Sequence, residues 1–120
     1  MADGAMIRGT TPPLTVFLKE NDLTLDRVND LEFILCQGDK IKNPREYKEL
    51  VRYMEDCTLD TEHNSVTYFL TEEDTLYFRA GEPLLYQARF RVGDRLVASL
   101  EYTIRVQRLL VDRPFRSAST

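Results

Sequence analysis

The chain has 120 residues, 42% of them hydrophobic, which suffices for one domain around a single core and argues against wholesale disorder. Sixteen Lys and Arg against 20 Asp and Glu give a net charge of −4, and the cations are scattered singly. Nucleic acid, whose phosphates need clustered cations, is therefore not an expected partner. No apolar run reaches the roughly 20 residues that span a bilayer, so a membrane is not expected either.

Residues 1–11 are small, polar and glycine-containing, and read as an N-terminal arm. They lack the apolar middle of a signal peptide, so the chain is expected to fold in the cytoplasm that makes it. Met6 is as good a candidate for the native start as Met1. Pro12 and Pro13 punctuate the entry to a first strand over residues 14–18, where no ladder donor is needed. Residues 21–29 read as a loop or short turn. Residues 31–36 (Leu-Glu-Phe-Ile-Leu-Cys) read as a second strand, closed by the turn signal Gln37-Gly38-Asp39.

Residues 44–54 are ambiguous. Asn43, Pro44 and Glu46 have the spacing of a helix N-terminus, and Tyr47, Leu50, Val51 and Met54 fall at helical intervals. Periodicity alone favours a helix of about three turns. The run from Leu50 to Met54 is also β-friendly. A polar turn at residues 60–64 leads into a strand, Ser65-Val66-Thr67-Tyr68-Phe69-Leu70. The capping pattern of Thr71 to Asp74 predicts one short helical turn near 71–76, crossing between sheets before Gly81 and Pro83.

The clearest alternation comes last. Leu84, Tyr86, Ala88, Phe90 and Val92 alternate with mostly polar neighbours, as do Leu96, Ala98, Leu100, Tyr102, Ile104 and Val106. Like faces must oppose, so Tyr86 is expected opposite Tyr102 and Phe90 opposite Ala98. A plain two-residue loop at Gly93-Asp94 breaks that match, so a three-residue connection or a bulge beside it is expected. The resulting fold is mainly β, an antiparallel sandwich of about seven strands over residues 12–106. Its core is expected to hold Phe33, Val66, Tyr68, Tyr86, Phe90, Leu100, Tyr102 and Ile104. Residues 107–120 form a C-terminal arm, where Leu109, Leu110, Val111 and Phe115 either pack back on the domain or dock on a neighbour.

Little in the sequence suggests catalysis. The single histidine, His63, sits in a polar turn with Asp60 and Glu62 but no nucleophile. Glu72, Glu73 and Asp74 lack the alternating ligands and glycine of a calcium loop, and acids early in a helix suit its dipole. Cys36 and Cys57 are read as small, half-buried thiols, although sequence leaves a bridge between them open. No cofactor, metal or catalytic residue is expected.

Three stretches carry a likeness to known proteins: Ile7-Arg8-Gly9-Thr10-Thr11-Pro12, Cys57-Thr58-Leu59-Asp60, and above all Leu70-Thr71-Glu72-Glu73-Asp74-Thr75-Leu76-Tyr77-Phe78. They resemble small proteins encoded in tailed phages and prophages of Gram-positive bacteria. The chain is also similar, more loosely, to the immunoglobulin-like N-terminal domain of phage baseplate upper proteins. That resemblance implies an immunoglobulin-like sandwich and reads residues 44–54 as a strand. It further implies a non-catalytic virion protein of the tail tip or baseplate. The partners are then other phage structural proteins and copies of itself, held through the arms, with Ile7, Arg8, Leu109, Leu110, Val111 and Phe115 as the contact residues. An accessory module for a host-surface glycan or protein, and a head decoration protein, are the alternatives.

Overall fold

Nine strands, one short α-helix and two 3-10 turns make up the residues that the computed structural model describes, namely 5–18, 24–110 and 115. In chain order the strands are β1 (Ala5–Ile7), β2 (Pro13–Phe17), β3 (Asp30–Gln37), β4 (Lys48–Tyr53), β5 (Thr58–Asp60), β6 (Ser65–Phe69), β7 (Pro83–Val92), β8 (Arg95–Ala98) and β9 (Tyr102–Gln107). Helix α1 (Glu72–Tyr77) stands between β6 and β7, so it crosses from one sheet to the other. One sheet has the order β1-β9-β7-β3-β4, with β8 also on β7, and the other has the order β2-β6-β5. Every pair is antiparallel except β1 with β9. The chain is thus mainly β in two layers, as expected, with its short helix one residue later than expected.

Alternation builds the core. Leu31, Phe33 and Leu35 of β3 and Leu84, Ala88 and Phe90 of β7 turn inward, toward Leu14 and Val16 of β2 and Val66 and Tyr68 of β6. Phe33 is fully buried, with its ring 5.9 Å from Tyr68 and 6.0 Å from Tyr86. Tyr86 in turn stacks on Tyr102 at 5.2 Å, so one aromatic row runs across the large sheet. Buried Gln37 closes the end of β3. Its amide nitrogen donates to the Arg79 carbonyl at 2.8 Å, and its oxygen accepts from the Arg79 N–H at 2.7 Å.

Two local expectations are corrected. Residues 44–54, left open between a helix and a strand by the sequence, do not form the helix that periodicity favours. The capping pattern closes a single turn, Glu46 N–H to the Asn43 carbonyl at 3.0 Å, and the chain then extends as β4. Six residues of β4 pair with β3, Leu50 opposite Leu35 and Arg52 opposite Phe33. Ladder pairing and burial of Leu50 against the core outweigh a weak helical preference.

The second correction concerns the last hairpin. Gly93 (φ 62°) and Asp94 form a two-residue turn with Val92 opposite Arg95, so Phe90 faces Val97 and not Ala98. The register is restored further along the strand. Gln87 and Ala88 on β7 face three residues, Ser99, Leu100 and Glu101, before Tyr86 meets Tyr102 as expected. Ser99 explains why the bulge is tolerated. Its backbone N–H donates to the Ala88 carbonyl at 2.8 Å, and its hydroxyl accepts from the Ala88 N–H at 3.0 Å. The bulge reverses facing on its N-terminal side. Leu100, expected in the core, is 55% exposed, and Leu96 is 58% exposed.

Candidate interaction surface

Residues 70–78 form a structural corner. Thr71 caps α1, its hydroxyl accepting from the Asp74 N–H at 3.0 Å, while the Asp74 carboxylate accepts from the Thr71 N–H at 3.0 Å. The same carboxylate, almost fully buried, accepts from the Tyr68 hydroxyl and pairs with the Arg52 guanidinium at 2.8 Å. Arg52 reaches it because it lies on the inner face of β4, and its Nε donates to the Tyr68 oxygen at 2.9 Å. Burial pushes the Asp74 carboxyl up, but Tyr68, the Thr71 N–H and Arg52 outweigh it and hold it below the usual carboxylate range. These three residues join β4, β6 and α1. Of the corner's acids, Asp74 caps the helix end and fills an ion pair.

Both termini of the described chain meet at this helix. In β1, Met6 is fully buried and Ile7 lies opposite Gln107, so part of the expected N-terminal arm is a strand of the domain. The Arg8 guanidinium donates to the Leu76 carbonyl at 2.6 Å, and the Gly9 N–H donates to the Thr75 hydroxyl at 2.9 Å. Gly9 (φ 84°) has Leu109 against it, where an added Cβ meets the Leu109 side chain at 2.9 Å. The Phe115 N–H donates to the Glu72 carboxylate. Of the six expected contact residues, Arg8 and Leu109 are therefore engaged within the domain. Ile7 is 41% exposed, Leu110 and Phe115 are 90% and 82% exposed, and Val111 lies outside the described residues.

Sequence reasoning missed two further exposed sets. Phe17 and Phe69 stand at 41% and 55% exposure on the outer face of the small sheet, with Thr15 and Thr67 joined by a 2.7 Å hydroxyl contact between them. Leu96 and Leu100 flank the bulge. The two-residue turn sets Leu96 opposite Arg91 on the outer face, the bulge leaves Leu100 exposed, and no pattern in the sequence places an extra residue at Ser99.

The turn at 60–63 brings Asp60, Glu62 and His63 within 4.8 Å of one another. The His63 ring nitrogen Nδ1 lies 2.8 Å from Asp60, which also accepts the His63 N–H at 3.1 Å. The hydrogen bond from His63 lowers the Asp60 carboxyl below its ordinary value. The Asp60–His63 pair thus ties the two ends of the turn together. Cys36 and Cys57 are both free thiols. Burial raises both, Cys57 to about 11 with help from Asp56 and Glu55, so neither is a thiolate at neutral pH. No helix among the described residues is long and apolar enough to cross a membrane. No protein-family model matches the chain, and no curated protein matches it at a significant level.

Proposed function

We propose that this chain is a non-catalytic structural protein of a tailed phage or prophage particle, placed in the tail tip or baseplate as an immunoglobulin-like connector. The observation that carries the reading is the junction at α1. Both termini are tied there to a stiff sandwich, while Leu110 and Phe115 project into solvent. Leaving large apolar side chains in water forgoes about 25 cal/mol per Å² of buried surface, which ordering against a neighbour recovers.

The strand order supports the immunoglobulin-like part of this reading. Labelling β1, β2, β3, β4, β5, β6 and β7 as A, B, C, C′, D, E and F, and β8 with β9 as G, the sheets become A-G-F-C-C′ and B-E-D. The sheet assignments B-E-D and G-F-C-C′ are those of an immunoglobulin variable-type sandwich, with strand A moved beside G. Cys36 lies on the outer face of β3 and Cys57 beyond β4, so the sandwich relies on Phe33 and its neighbours in place of a B–F disulfide. The Thr-Glu-Glu-Asp-Thr corner that carries the likeness falls at the E–F crossing, where it positions strands.

Truncation tests the role of the tail. The cut belongs after Leu109, because Gln107 still pairs with Ile7 and accepts the Arg8 N–H at 3.0 Å. The shortened chain is expected to unfold within about 0.5 kcal/mol of the full chain. It is also expected to fail to enter tails when it complements a phage lacking the gene. Entry at the full-length level shows that the contacts lie elsewhere.

A further inference from the structure

The charge of this chain is segregated along its length and across its sheet. Residues 83–108, which supply β7, β8 and β9, hold five arginines against two acids, a net +3. Residues 48–64, which supply β4, β5 and the turns beside them, hold five acids against Lys48 and Arg52, a net −3. In the large sheet β4 is the last strand, while β8 and β9 lie beyond β7 on the other side of β3. Strand β5, the last of the small sheet, follows β4 through the single 3-10 turn Met54–Asp56, so the two sets occupy opposite flanks. Arg52 is already paired with Asp74, which leaves the β4–β5 flank more acidic than its count. Arg91, Arg95, Arg105 and Arg108 make no ion pair among the described residues, although Asp30 stands opposite Arg91 in register.

Each flank also carries two large exposed apolar side chains. Leu96 and Leu100, at 58% and 55% exposure, accompany the arginines. Tyr53 and Leu59, at 47% and 38%, accompany Glu55 and Glu62. The two flanks therefore match in charge sign and in apolar content, an arrangement in which attraction sets the register and apolar contact supplies affinity.

We propose that copies of this chain associate head to tail, the arginine-bearing β8 flank of one copy against the acidic β4–β5 flank of the next. The contact deepens the structural reading above by naming the partner as a second copy, and it rests on that reading only for its place in a particle. Because the two surfaces differ, the contact is heterologous, and successive copies close into a ring or extend as a filament according to the rotation between them. A two-fold contact through either flank alone brings like charges together and is disfavoured.

Sedimentation velocity of the full chain tests this. Association is expected at low salt, about 0.01 M, where the screening length is about 30 Å, and it weakens at least about tenfold at 1 M, where that length is about 3 Å. Arg91→Glu with Arg95→Glu, and separately Glu55→Lys with Glu62→Lys, are each expected to weaken low-salt association by about tenfold or more. All four side chains are exposed, and thermal melts verify that both variants remain folded. An equimolar mixture of the two variants is expected to regain association, because each supplies the flank the other lacks. A wild-type chain that stays monomeric at low salt overturns the proposal. So does a variant that associates as well as wild type, or a mixture that does not recover. A monomeric chain that still enters tails removes this contact and leaves the structural reading standing.

Discussion

Phe33→Ala is expected to lower the free energy of unfolding by about 3–5 kcal/mol, the largest effect of any single truncation in the sandwich. Phe33 is fully buried and bridges the sheets, touching the ring of Tyr68 on one side and that of Tyr86 on the other. Removing it deletes transfer free energy and opens a cavity between β3, β6 and β7 that rigid strands cannot collapse to fill. Leu100→Ala is the control. Its side chain is 55% exposed at the bulge, and its loss is expected to change stability by about 0.5 kcal/mol or less. Urea midpoints of the two variants measure the contrast. Equal losses mean that the facing assigned around Ser99 is wrong.

Asp74→Ala is expected to cost about 3–5 kcal/mol, toward the lower end because Arg52 keeps part of its side chain in water. The substitution strands the Arg52 guanidinium and the Tyr68 hydroxyl and at once removes the carboxylate half of the reciprocal cap of α1, the bond from the Thr71 N–H. The sign of the pH dependence follows from the lowered Asp74 carboxyl. A carboxyl lowered by folding contributes stability that is fully present above its unfolded value of about 3.9, and the contribution fades as pH falls through the folded value. The wild-type protein is therefore expected to lose stability below about pH 4 more steeply than Asp74→Asn. Denaturation midpoints between neutral and acid pH check this, and parallel curves for the two proteins refute it.

Much of the fold was legible because its signals are strictly local. Alternation over residues 84–92 and 102–106, the β-branched and aromatic run of β6, and the Thr71–Asp74 cap all became the elements they suggest. The β4 segment was not legible from its own residues. Its helical spacing is real, and only pairing with β3, a contact between residues distant in sequence, decides against it. A bulge was one of the two expected devices in this hairpin, but its place at Ser99 was hidden for a related reason. Period-2 alternation continues unbroken through Leu96, Ala98 and Leu100, yet a Gly93-Asp94 turn forces the opposite facing on that half of the strand. The arms were partly legible. Leu110 and Phe115 are exposed as apolar residues beyond the last strand, whereas three residues at 5–7 give too short a pattern to announce a strand. The charge segregation was present in the sequence throughout, but it gained meaning only when the sheet order set the two groups on opposite flanks.

The proposed function makes this chain a built-in part of a virion. Quantitative mass spectrometry of purified phage particles, banded on a density gradient from a host carrying the gene with its phage or prophage, tests it most directly. The chain is expected to band with intact particles, and with isolated tails, at a fixed copy number relative to the other tail proteins. Phage made without the gene are expected to have incomplete or non-infective tails. A chain that stays in the soluble fraction while complete, infective particles band without it overturns the proposed function.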